Sequence, residues 1–162
     1  MLVTGVFWGT WFALTRSIET FSPREFIHIG RTIIANVATP MKIIMPLCIL
    51  FMLLAVWVYL QKKPWGYYFN LTAFTLIIIT LLITLIVLVP IDNQIKLWNP
   101  NGIVGAVPQT NPLASQIITW TADAIPANWE AIRARWQFFH TFRTLTSLGS
   151  FACFSVAVLK SK

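Results

Sequence analysis

Charge is what this sequence has least of. Only 10% of its 162 residues are Asp, Glu, Lys or Arg, against about a quarter in an ordinary soluble domain. So few charges cannot cover a water-facing surface, and 57% of the chain is hydrophobic. A soluble globular domain is excluded, and an all-α, multi-pass integral membrane protein embedded in a lipid bilayer is expected. Acidic residues are the scarcest, five against twelve Lys and Arg, for a net charge of +7. This excess carries no nucleic-acid signature, because no basic cluster has interleaved aromatics. The basic residues sit at the edges of apolar runs, where they suit phosphate headgroups. Cysteine is nearly absent. Cys48 and Cys153 each lie within an apolar run, which suits small core residues and not a metal pair or a disulfide. The first apolar run has no basic flank before it and no small-residue cleavage pattern after it, so it is expected to stay as a span and not to be a cleaved signal.

Four apolar runs remain. They predict spans over about 2–18, 42–60, 69–89 and 138–158 of one transmembrane domain, with extramembrane segments over about 20–40 and 90–137 on the same side. In the first run Gly5, Gly9 and Ala13 recur every four residues, a spacing that permits close helix packing. Ser22-Pro-Arg-Glu25 reads as a capping box with proline at the first helical position. It predicts an interfacial helix to about Thr39, stopped by Pro40, with Phe26, Ile29, Ile33 and Val37 on its apolar side. The alternative is that this helix is the lower part of one long broken helix. Pro46 is expected to kink the second span. Gln61-Lys-Lys-Pro-Trp-Gly reads as an interfacial turn. The uncharged third span is expected to face lipid and to end at Pro90, leaving Asp92 and Asn93 at the boundary. A long connection follows, with a further short helix expected after Asn111-Pro112.

The most ordered pattern runs from Trp129 to Arg143. Read as a helix, Trp129, Arg133, Trp136, His140 and Arg143 fall at steps of four, three, four and three and form one stripe, which Ser147 extends. Ile132, Arg135, Phe138, Phe142 and Leu145 occupy the opposite face. A charge in a bilayer costs about 2.5–3.5 kcal/mol on insertion scales, so His140 and Arg143 are expected to face the protein interior with partners. Four spans with short connections predict a four-helix bundle whose polar and aromatic residues gather at one end.

Pro90-Ile-Asp-Asn-Gln-Ile and the Trp129–Arg143 series together resemble the anthrone-oxygenase-like family of small four-span membrane proteins. Arg31, Asn36 and Pro40 resemble a weaker stretch of the same pattern. The resemblance implies the four-span fold and an oxidoreductase acting on a lipophilic aromatic, quinol-like substrate. The connection between Trp98 and Trp129 is longer than the family pattern, so an extra surface helix there is expected to be a lid or a docking site.

Two readings of the residues stand at this point. In the first, His140 is a base, Arg143 and Arg133 stabilise an enolate or phenolate, and Trp129, Trp136, Asp92, Asn93 and Arg31 bind the substrate. Dioxygen reacts with such an anion without a metal. The cofactor is unknown and none is required. A variant assigns a metal to His28, His140, Asp92 and Glu25, which are suitable ligand types without a metal spacing, or places a heme between His28 and His140. In the second reading the stripe is a polar network, built on an Asp92–Arg133 or Asp92–Arg143 pair and a His140-to-carbonyl hydrogen bond. The protein is then an accessory subunit that meets other membrane subunits through the 99–128 loop or the third span. A channel is disfavoured, because no polar path runs through the middle of the bundle.

Overall fold

The computed structural model describes residues 2–14, 17–59, 64–101, 103–104 and 124–160. Five helices carry nearly all of this: α1 (Leu2–Leu14), α2 (Pro23–Tyr59), α3 (Pro64–Ile83), α4 (Val89–Leu97) and α5 (Trp129–Leu159). A 3-10 turn, Ile18–Thr20, stands between α1 and α2, and a π turn, Thr84–Leu88, joins α3 to α4 without a break. Ile103–Val104 and Ala124–Ile125 form a two-residue parallel bridge at the ends of the long connection. The Gln61–Lys63 turn, the helix expected after Asn111 and most of the 99–128 loop lie outside the described residues.

The fold is an all-α bundle. Three of its helices, Pro23–Val58, Trp65–Leu97 and Trp129–Leu159, are long and apolar enough to cross a membrane, and Leu2–Ala13 is a shorter apolar helix. The exposed surface is hydrophobic to match, with Phe51, Trp57, Ile86, Phe138 and Leu145 all outward. A soluble protein would aggregate through such a surface.

Apolar burial does not drive helices together in lipid, so close approach and interhelical hydrogen bonds must do so. The α3–α5 seam is built that way. Ala73, Thr80, Ser150 and Ala157 are small and buried. Ser150 Oγ donates to the Ala73 carbonyl at 2.7 Å, and the Thr80 and Thr146 hydroxyls meet at 2.8 Å. Across α5 from this seam, Trp11 Nε1 donates to Thr141 Oγ1 at 2.8 Å and Thr4 Oγ1 to the Ser147 carbonyl at 3.3 Å. These pairs run antiparallel, and they leave α5 between α1 and α3. Many other hydroxyls donate to carbonyls of their own helix four residues earlier, among them Thr72, Thr75, Thr84, Thr141 and Ser155.

Several sequence expectations need correction. The helix opened at Ser22 does not stop at Pro40. It continues through Pro40 and Pro46 as one 37-residue helix, the alternative reading of that stretch. The carbonyls that proline strands within a membrane helix are re-satisfied locally. Its buried face is Phe26, Ile27, Gly30 and Ile34, not the Ile29, Ile33 and Val37 side. Pro90 likewise lies inside a continuing helix. The wider π turn just before it accommodates a residue that clashes with the carbonyl four positions back. The Trp129 segment and the fourth apolar run are one helix of 31 residues. Among the described residues nothing lies within 4 Å of a Cβ built on Gly5 or Gly9, so they form no close-packing seam with those residues.

Candidate functional site

The capping box forms as the spacing requires. The Ser22 N–H and hydroxyl both donate to Glu25 Oε2, at 2.8 and 2.7 Å. This start aims the first turns of α2 so that Phe26 enters the bundle end, where it is 1% exposed. Phe26 is the hub of an aromatic cluster. Trp136 meets it edge-on at 5.9 Å between ring centroids, and Trp98 and Trp129 lie at 6.4 Å. The aromatic half of the α5 stripe thus faces inward, while Phe138, Phe142 and Leu145 point out.

Two arginines fix this end of the bundle to the backbone. Arg31 Nη2 donates to the Lys96 carbonyl at 2.7 Å and also to the Trp98 carbonyl, so it holds the end of α4 against α2. Arg133 Nη1 reaches the carbonyls of Ile18, Glu19 and Phe21 at 3.2–3.4 Å, and its guanidinium lies 4.7 Å from the Trp129 ring. The enzyme reading places both at a substrate, and the structural reading pairs Arg133 with Asp92; in the structure both donate to carbonyls at helix and turn ends. Trp129 belongs to the packed aromatic cluster, and Asn93 points outward, exposed.

One turn further along α5 lies the polar centre. Trp136 Nε1 donates to Asp92 Oδ1 at 2.8 Å, so the carboxylate is held by an indole and not by either arginine. The Trp136 and His140 ring centroids are 3.9 Å apart. Arg143 Nη2 lies 2.9 Å from His140 Nδ1. A guanidinium can only donate, so Nδ1 must accept. The imidazole then carries its single proton on Nε2. The enzyme reading expects a base at His140 and the structural reading a hydrogen bond from His140 to a backbone carbonyl; here the ring nitrogen left over is an N–H donor. His140 Nε2 and Arg143 Nε are both buried and have no hydrogen-bond partner among the described residues. On its other side the Arg143 guanidinium rests 4.1 Å from the Phe7 ring of α1, which supplies a π face to a buried cation.

The residues of the metal variant, His28, His140, Asp92 and Glu25, are not brought together. Glu25 is committed to Ser22 and His28 is exposed. Among the described residues no three His, Cys, Asp or Glu side chains group closely enough to hold a metal. Phe7, Thr144 and Trp11 belong to the neighbourhood of the site and were not singled out from the sequence. Their only advance signal was membership of an apolar run opposite a stripe.

The bundle, its apolar exterior and its buried polar end define a small all-α membrane protein. A family model for the anthrone oxygenase family matches residues 34–153, most of the chain, and the protein belongs to that family. Comparison with curated proteins and with solved structures returned no match.

Proposed function

We propose that this protein is a multi-pass membrane oxidoreductase acting on a lipophilic aromatic, quinol-like substrate at the Asp92–Trp136–His140–Arg143 centre. The carrying observation is the pair of buried N–H donors, His140 Nε2 and Arg143 Nε, that have no acceptor among the described residues. A buried donor without a partner costs about 1–3 kcal/mol. An oxygen atom of a phenol or of its keto form, placed at that pair, removes the cost. Negative charge developing on that oxygen is stabilised further, because fixed donors act strongly in a dry site.

In this reading Asp92, not His140, is the proton acceptor. It takes the proton from the acidic carbon while His140 and Arg143 hold the resulting anion through its oxygen. Dioxygen is the oxidant. The carbanion bonds to oxygen to give a hydroperoxide, which loses water to leave a ketone. A methylene plus dioxygen becomes a carbonyl plus water, so atoms and electrons balance.

The test is oxygen uptake by the purified protein with an anthrone probe. Wild type should consume one dioxygen per methylene oxidised, and His140→Met, which removes the Nε2 donor, should lose turnover while its circular dichroism stays that of a folded helical protein. If His140→Met turns over normally, the assignment is wrong. The second reading, an accessory subunit, is favoured by one observation: the hydrogen bonds that Arg31 and Arg133 make go to backbone carbonyls. Co-purification in fixed ratio with other membrane proteins, without oxygen uptake, would decide for it.

A further inference from the structure

A recess of about 410 Å³ lies between α1, α2, α3 and α5, in the half of the bundle away from the polar centre. Ile77 of α3 and Ser150 of α5 are buried within its lining, while Leu2 of α1 and Leu47 and Phe51 of α2 are exposed at its rim. Its mouth is therefore continuous with the apolar exterior that faces lipid. Phe7, Thr144 and Ser147 are packed and buried between the recess and the His140–Arg143 pair. The recess is a separate site, and nothing about it depends on the function proposed above.

Its volume is in the range of small-molecule sites, but such sites also offer a few placed polar groups. This one does not. The Thr4 hydroxyl donates to the Ser147 carbonyl at 3.3 Å and the Ser150 hydroxyl to the Ala73 carbonyl at 2.7 Å, so each is committed to the bundle's own backbone. Cys48 is a free thiol, a weak donor at best. A hydroxyl, carbonyl or charge placed here would lose its hydrogen bonds and gain none. The recess accepts hydrocarbon.

Depth says where that hydrocarbon comes from. Trp57 near the end of α2, and Trp65 and Tyr68 at the start of α3, are all exposed. Trp and Tyr concentrate at the membrane–water boundary, so these rings mark one interface. Lys160, exposed just past the end of α5, suits phosphate groups at the same level. Along α2 the lining residues Met52 to Ile44 lie five to thirteen positions inward of Trp57, which is about 7–20 Å of helix. One leaflet's share of the hydrocarbon core is about 15 Å. The recess thus spans the depth that the acyl chains of that leaflet occupy. A lipid against an ordinary helix surface touches one side of the protein, whereas a chain in this recess is flanked by four helices.

We propose that the recess holds one acyl chain of a phospholipid from the leaflet at the Trp57 end, and that this lipid is a bound component of the bundle, wedged between α1 and α2.

The experiment uses the full chain, stripped of lipid in dodecylmaltoside and titrated with a phosphatidylcholine that carries a diazirine midway along one chain. After photolysis, adducts are mapped by peptide mass spectrometry. The expected result is labelling of Cys48, Met52 and Phe154 that saturates at one lipid per protein and that unlabelled phosphatidylcholine competes away. Cys48→Trp places an indole in the recess and should abolish this labelling. Leu47→Trp, at the rim, should do the same and serves if the first variant fails to fold. Labelling that rises without saturation, or that falls equally on the outward residues Ile86 and Phe142, is ordinary solvation of an apolar surface and overturns the proposal. Saturable labelling that a folded tryptophan variant leaves unchanged overturns it too, because the chain then lies elsewhere. So does an absence of adducts in the recess, and a dimer in native mass spectrometry of the same sample would then make a second copy of this chain the occupant.

Discussion

The His140–Arg143 pair allows a sharp energetic test. Replacing Arg143 by Met keeps most of the volume and removes the guanidinium. The hydrogen bond to His140 Nδ1 at 2.9 Å, one with a charged donor, contributes about 1.5–3 kcal/mol. The contact with Phe7 at 4.1 Å adds about 0.5–2 kcal/mol. Against these stands the cost of holding an arginine in the apolar interior, about 2.5–3.5 kcal/mol on insertion scales. The two sides are of equal size, so Arg143→Met alone should destabilise by no more than about 2 kcal/mol. His140→Leu should be worse, about 3 kcal/mol, because it leaves the buried cation with no acceptor. The double variant His140→Leu/Arg143→Met should return to within about 1 kcal/mol of wild type, since neither partner is stranded. Unfolding in dodecylmaltoside with rising dodecylsulfate, followed by far-ultraviolet ellipticity, measures all four proteins. A double variant as unstable as the sum of the singles would refute the argument. It would mean that the two side chains contribute independently and not as a pair.

Trp136→Phe should keep the aromatic cluster around Phe26 and remove the 2.8 Å hydrogen bond to Asp92, a loss of about 1.5–3 kcal/mol. Adding Asp92→Asn should recover part of it in the same titration, and no recovery would show that the carboxylate is satisfied elsewhere. Arg31→Met should free the carbonyls of Lys96 and Trp98. Amide exchange should then rise over residues 94–98 while the α3–α5 seam stays protected, and unchanged exchange would remove Arg31 from its role as a clamp.

The α5 stripe was legible because one period governs it throughout. Trp129, Trp136, Arg143 and Ser147 recur on one face and are all buried. The proline boundaries were misread because rules for helices in water end a helix at proline, whereas a membrane helix must continue or leave its backbone unsatisfied. That is why Pro40, Pro46 and Pro90 all lie inside continuous helical backbone. The face of α2 that enters the core was misjudged for another reason. Ile29 and Ile33 are as apolar as Ile27 and Ile34, and only packing against α4, where Gly30 meets Ile95, chooses between them. Side-chain roles were the least visible. Whether His140 donates or accepts depends on which nitrogen faces Arg143, and no spacing encodes that. The destinations of Arg31 and Arg133 are carbonyls 65–67 and 112–115 residues away in the chain.

The threonines that bond back to their own helices change how this protein meets lipid. Thr72 and Thr75 are exposed on α3, yet each hydroxyl hydrogen already lies on a carbonyl one turn earlier. What these residues turn toward the hydrocarbon is largely a methyl group, so in lipid they behave much as valines would. A residue-by-residue hydropathy scale counts these side chains as polar and so understates how well the helices suit a bilayer. The membrane meets a more apolar protein than the letters spell.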